Sequence, residues 1–324
     1  MRHVAAIKAN ARCAFAGLVD PDPQRGADYA DMSEITEGVD GVIIATPTHL
    51  HASGGVYAAQ RGWHVLIEKP VAQTLDDAQA LAAAVNANGV GSLVGHHRRY
   101  HARIAALKEM ISGGEIGRVV TASLIWAMRK PDDYFEGNWR TAGGSPVMIN
   151  LVHDVDILRH VIGEIAQVSA LRGTDLRGSG RIESGAVAMV FENGATGTIS
   201  FADTTPSPWG FEAGTGENPN IGTTGQDMLW ITGTKGAVSF PSMTLWRGTD
   251  WGRPATAQQF DVPTDTQTPL AAQLDHFIDV MDGATPRIDV VEGKRTLAVA
   301  LDIETQLAAA SPHTDRKRKA YEQT

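Results

Sequence analysis

The chain of 324 residues holds one cysteine, Cys13. A single thiol forms no intramolecular disulfide and suits a reducing compartment, so the chain is expected to be cytoplasmic. No run approaches the ~20 consecutive apolar residues of a membrane-spanning helix. The N-terminus lacks the apolar core of a signal peptide. Positive charge is scarce as well. The formal net charge of −9 argues against nucleic acid or an anionic membrane as partner. The dense basic run Arg316-Lys317-Arg318-Lys319 reads as a solvated tail. Tandem repeats and low-complexity stretches are missing too. Hydrophobic residues at 43 % and charged residues at 20 % are ordinary for a globular protein, and the length suits two domains.

One stretch organises the rest: Val65-Leu66-Ile67-Glu68-Lys69-Pro70. An apolar run stopped by a turn signal reads as a buried strand, and proline ends the ladder. Glu68 and Lys69 then stand at the carboxyl end of a buried strand, the edge where ligands bind in open α/β sheets. Upstream, residues 3–12 read as a helix and 13–20 as a strand ending at Asp20. Residues 40–46 read as a second strand closed by Thr46-Pro47, and 49–61 as a helix. Thr74 caps a helix over 75–88, followed by a strand at 92–95. Strands alternating with helices indicate βαβ units and a parallel sheet.

A phosphate-binding loop is the further absence. A Rossmann unit opens with a strand, then G-x-G-x-x-G, then a helix that holds the pyrophosphate on its N-terminus. This chain starts inside what reads as that helix. The nearest substitute, Gly89-Val-Gly91-Ser-Leu-Val-Gly95, has the wrong spacing and precedes a strand, so it reads as a turn. Asp20 retains the setting of the acid that binds ribose hydroxyls. A carboxylate there repels a 2′-phosphate, so NAD is expected over NADP.

Ala45-Thr-Pro-Thr-His-Leu-His51, Glu68-Lys69-Pro70 and the Gly-Gly…His-x-x-Asp segment at 143–156 resemble the glucose–fructose oxidoreductase / inositol dehydrogenase / rhizopine-catabolism family. The resemblance spans essentially the whole chain. It implies an α/β fold: an N-terminal Rossmann-type parallel sheet, its first strand and glycine loop missing, and a C-terminal α/β domain with an open, largely antiparallel sheet. The domains are expected at 1–108 and 109–324. The resemblance implies NAD-dependent hydride transfer to or from a secondary alcohol of a sugar, inositol or related polyol, and a homo-oligomer, dimer or tetramer. It makes Lys69 the catalytic lysine and places Thr46, Pro47, His51, Glu68, Lys69 and Arg140 along the cofactor. Family members carry a first strand and glycine loop ahead of a segment like Arg2-His3. The departure here reads as a truncation or a late start, and predicts weaker NAD binding than in a form extended upstream.

Past Tyr100 a helix runs to about Ser112, and 119–128 alternates as a strand. Residues 147–162 have helical periodicity. His153 and Asp156, three apart, share a face, and the carboxylate can orient the imidazole. Asn150 lies one turn earlier on that side, while Leu151, Val155, Leu158 and Ile162 take the core face. Many family members have an aspartate where this chain has Ile149. Asparagine binds a hydroxyl but takes no proton, so the proton is expected to pass between Lys69 and His153, with Asp156 beside them. Lys69, Asn150, His153 and Trp209 are the candidate substrate residues. Strands are expected at 167–171, 182–191, 195–202, 227–231, 237–240 and 243–246, with Asn193-Gly194 as a hairpin turn. The Gly/Pro-rich stretch 204–224 reads as a functional loop in which Trp209, Phe211, Glu212 and Asn218 could line a polyol site. Helices at 269–281 and 292–310 close the chain. His96, His97 and His101 lack the partners a metal requires, so no metal site is expected. The alternative function is a non-catalytic sugar- and nucleotide-binding regulator of the same superfamily.

Overall fold

The structure, a computed structural model, describes residues 2–36, 38–135, 145–248, 251–262 and 264–310. The chain divides into two compact units: residues 1–101 with 265–297, and residues 102–264 with 298–324.

In the first unit α1 (Arg2–Ala9) precedes a parallel sheet of β1 (Gly41–Ile44), β2 (His64–Ile67) and β3 (Ser92–Val94), in that order. The register pairs Ile44 with Ile67 and Ile67 with Val94. β2 is central and nearly wholly buried, so an unbroken apolar run is the sequence it requires. α2 (His51–Gln60) and α3 (Leu75–Asn88) supply the crossovers. The buried face of α2 is Ala52, Gly55, Ala58 and Ala59. A Cβ on Gly55 would stand 2.6 Å from the Leu81 side chain, so small residues let α2 lie close to α3. Thr74 Oγ1 accepts the Asp77 N–H at 3.1 Å, and Gly89, at φ +64°, ends α3 in the left-handed conformation that glycine tolerates.

The sequence expectation of a strand over 13–20 is not met. Val19 makes an isolated bridge to Tyr29, and Asp20 N–H reaches Tyr29 O at 3.0 Å. A strand needs a ladder, and no strand runs along the outer edge of β1 among the described residues. The expected domain boundary at 108/109 also differs from the observed division, which returns 265–297 to the first unit. The reason is hydrogen bonding and packing. Val94 N–H reaches Ile288 O at 3.0 Å, Gln273 Nε2 donates to Val94 O at 3.0 Å, and Phe277 and Val280 pack on Leu66 and Leu93.

In the second unit α4 (Ala102–Ser112) leads to β4 (Val119–Ala127). A π-helical turn, Val147–Leu151, runs into α5 (Val152–Ile162). Then come β5 (Ile165–Arg172), β6 (Ser184–Phe191), β7 (Thr196–Ala202), β8 (Leu229–Gly233), β9 (Ala237–Phe240), β10 (Thr244–Arg247) and β11 (Thr256–Gln259). The eight strands form one sheet in the order β11-β10-β9-β8-β4-β7-β6-β5. Every pair is antiparallel except β4 with β7. Alternating strands bury one face: Leu124, Trp126, Val187, Met189, Ile199 and Phe201 join Leu151, Val155, Leu158 and Ile162 in one core. Asn193-Gly194 makes the β6–β7 turn, with Gly194 at φ +83°. β11 has no sequence signal, because Thr-Ala-Gln-Gln is exposed throughout.

Candidate functional site

Because β1, β2 and β3 are parallel, Thr46-Pro47, Glu68-Lys69-Pro70 and Gly95-His96 leave the sheet at the same edge, the ligand-binding edge of such sheets. Glu68 N–H still bonds Ile44 O at 2.9 Å. Its carboxylate is bound twice. His3 Nε2 lies 2.8 Å from Oε1, and the Lys69 backbone N–H donates to Oε2 at 3.1 Å. Burial acts to raise the Glu68 pKa, but the hydrogen bond and charge of His3, with the charges of Lys69 and His97, outweigh it and hold the group at about 2. Gly95 makes the close packing possible: a Cβ there would stand 2.9 Å from Glu68 Oε2. Lys69 is half-buried beside this carboxylate.

The other cofactor candidates fall into two kinds. Thr46 and Pro47 are exposed at the sheet edge. Asp20 Oδ1 accepts the Asp22 N–H at 2.9 Å on an open turn, which suits a carboxylate that also receives ribose hydroxyls. His51 is different: it is buried, and both ring nitrogens meet backbone carbonyls. A half-buried acceptor at Asp20 and the exposed strand edge at 46–47 fit the ribose and ring of a dinucleotide. Arg140, with Trp139 and Gly143-Gly144, lies outside the described residues.

In the second unit the π-helical turn carries Asn150 and continues into α5, which carries His153 and Asp156. Val152 N–H reaches back to Val147 O, the widened turn often found at functional sites. His153 and Asp156 are both buried. Asn150 sits between charges. Lys130 Nζ donates to its Oδ1 at 2.7 Å, and its Nδ2 donates to Glu212 Oε1 at 3.1 Å. Glu212 Oε2 accepts Trp126 Nε1–H at 3.3 Å. Lys130 Nζ lies 5.2 Å from the Trp126 ring centre and 5.1 Å from that of Tyr134, within cation–π range. This assembly fixes which way the Asn150 amide points. Nothing in the sequence pairs Lys130, which follows a strand and precedes a proline, with Asn150. Of the loop candidates, Glu212 reaches Asn150 and Trp209 is 40 % exposed. Phe211 is instead a core residue, fully buried and stacked on Phe240 at 5.6 Å.

Among the described residues no group of His, Cys, Asp or Glu is arranged to hold a metal, and no helix is long and apolar enough to cross a membrane.

Comparison with known proteins matches residues 1–96 to a family described as an oxidoreductase family with an NAD-binding Rossmann fold. Residues 104–239 match a GFO/IDH/MocA C-terminal domain. The chain is 27 % identical over 313 residues to scyllo-inositol 2-dehydrogenase (NAD(+)) of Bacillus subtilis (strain 168), covering 90 % of this chain and 82 % of that protein. It is 32 % identical over 224 residues to 1,5-anhydro-D-fructose reductase of Ensifer adhaerens, covering 63 % and 67 %. Among solved structures, the WlbA dehydrogenase of Bordetella pertussis, in complex with NADH and UDP-GlcNAcA, superposes with a TM-score of 0.74 at 24 % identity over 94 % of this chain and 92 % of that one.

Proposed function

Since the chain belongs to the glucose–fructose oxidoreductase / inositol dehydrogenase / rhizopine-catabolism family of oxidoreductases, we propose that it transfers a hydride between a secondary alcohol of a sugar, inositol or related polyol and NAD. The observation that carries this reading is Glu68-Lys69 at the carboxyl edge of a parallel sheet, with Glu68 held ionised by His3. The named activities of the B. subtilis and E. adhaerens relatives support a polyol or sugar substrate. Asp20 favours NAD over NADP, because its carboxylate accepts ribose hydroxyls and repels a 2′-phosphate.

Thr46, Pro47 and Asp20 hold the cofactor; the chemistry NAD supplies when bound is acceptance of the hydride. Lys69 takes the hydroxyl proton as the carbonyl forms. His153 is the second proton-carrying side chain, and Asp156, one turn along α5, orients its ring. Asn150 binds a substrate hydroxyl through an amide whose orientation Lys130 and Glu212 set. The exposed Val120, Val190 and Trp246 support self-association through the outer face of the eight-stranded sheet, which light scattering tests.

The test is NADH formation over a panel of inositols, aldoses and sugar acids, with NADP in parallel. Turnover of at least one polyol with NAD is expected. Sugar binding without turnover of any of them would favour the regulator reading instead.

A further inference from the structure

His51 opens α2 and is 2 % exposed. Its Nδ1 lies 2.7 Å from Pro70 O and its Nε2 2.9 Å from Thr46 O. Carbonyl oxygens only accept, so a neutral ring bonds one of the two carbonyls and a protonated ring bonds both. Thr46 stands two residues beyond β1, and Pro70 three residues beyond β2. The ladder between these strands closes at Ile44 and Ile67, followed by the single bond from Glu68 N–H to Ile44 O. Past that point His51 spans the two departing chains.

We infer that His51 is a positioning residue, whose ring ties the end of β1 to the end of β2 and so sets the backbone from which Lys69 projects. A cofactor contact, as the family resemblance implies for His51, would need a ring nitrogen, and both face backbone carbonyls at hydrogen-bond distance in a buried ring. Burial lowers the ring pKa against the opposing pull of the two carbonyls and Glu68, and Lys69 lowers it further. In either state a ring proton is held against a backbone carbonyl. Gly55, one turn along α2, reinforces the placement by letting the helix seat against Ile67, whose Cδ1 lies 3.1 Å from where a Cβ would stand.

The inference rests on the proposed role of Lys69, and the tether is testable apart from it. In the full chain, His51→Leu fills similar volume and donates nothing, whereas His51→Gln brings two amide hydrogens. His51→Leu is expected to lower kcat on the polyol on the order of tenfold to a hundredfold, the scale of a displaced catalytic group. KM for NAD should stay within about twofold, and His51→Gln should restore a large part of kcat. A raised KM for NAD at unchanged kcat would make His51 a cofactor contact and overturn the inference, as would equal kcat in all three proteins. Independently of turnover, imidazole nitrogen NMR of the unmutated chain reads the ring protons directly. The tether predicts a slowly exchanging His51 ring proton. Exchange as fast as in the exposed His49 would overturn it. If the chain turns over no polyol, the Lys69 reading fails while this measurement still decides the tether.

Discussion

Replacing Glu68 by glutamine isolates the electrostatics at the carboxyl end of β2. Glu68 moves from its ordinary 4.5 to about 2 on folding, an interval worth about 3 kcal/mol. Its side chain is one quarter exposed and His3 nearly as open, so solvent screening reduces the expected effect to about 2 kcal/mol. The folded-state pKa is depressed, so the unfolded chain binds the proton first as pH falls. The stabilisation is therefore complete above about pH 4.5 and is lost as pH drops from there towards 2. Urea unfolding followed by circular dichroism, from pH 7 to pH 3, should show Glu68→Gln less stable at pH 7 and converging on the parent in acid. His3→Ala should flatten the same profile, and the double variant should lose less than the sum of the single losses. A stability difference constant from pH 7 to pH 3 would mean that the Glu68 charge adds no stability.

Asp20→Asn should raise KM for NAD more than KM for the polyol and narrow the preference over NADP, read from initial rates with both nucleotides. Lys130→Met keeps the length of the side chain but leaves Asn150 Oδ1 without its donor. It should cost about 1–3 kcal/mol in urea unfolding and raise KM for the polyol while leaving NAD affinity unchanged. His153→Asn removes the second proton-carrying group and should lower kcat and flatten its pH dependence, with little change in NAD affinity measured by calorimetry.

Much of this architecture was legible in the sequence. Helix 75–88 carries its own cap at Thr74 and its own stop at Gly89, and β9 is a short apolar run between turns, so both were read to the residue. The strand expected at 13–20 has the right composition, but a strand is defined by its neighbour, and the neighbour is not in the sequence pattern. β11 lacks any apolar alternation. The return of 265–297 to the first unit depends on contacts such as Gln273 with Val94, 179 residues apart. The candidate site residues divide in the same way. Glu68, Lys69, His153 and Asp156 stood out by motif and spacing. The bond between Lys130 and Asn150 did not, because the partners sit 20 residues apart on different elements. The π-helical turn at 147–151 reads as ordinary helix by apolar spacing. His51 was recognisable as a motif residue, but only the fold shows that both its nitrogens face carbonyls.

Lys69 is proposed to take the proton in an NAD-linked oxidation of a polyol. Lys69→Met, compared with the unmutated chain for NADH formation on the best polyol and for calorimetric NAD affinity, tests it most directly. A loss of kcat of about 100-fold or more is expected, with NAD affinity retained. Unchanged turnover in Lys69→Met would contradict it.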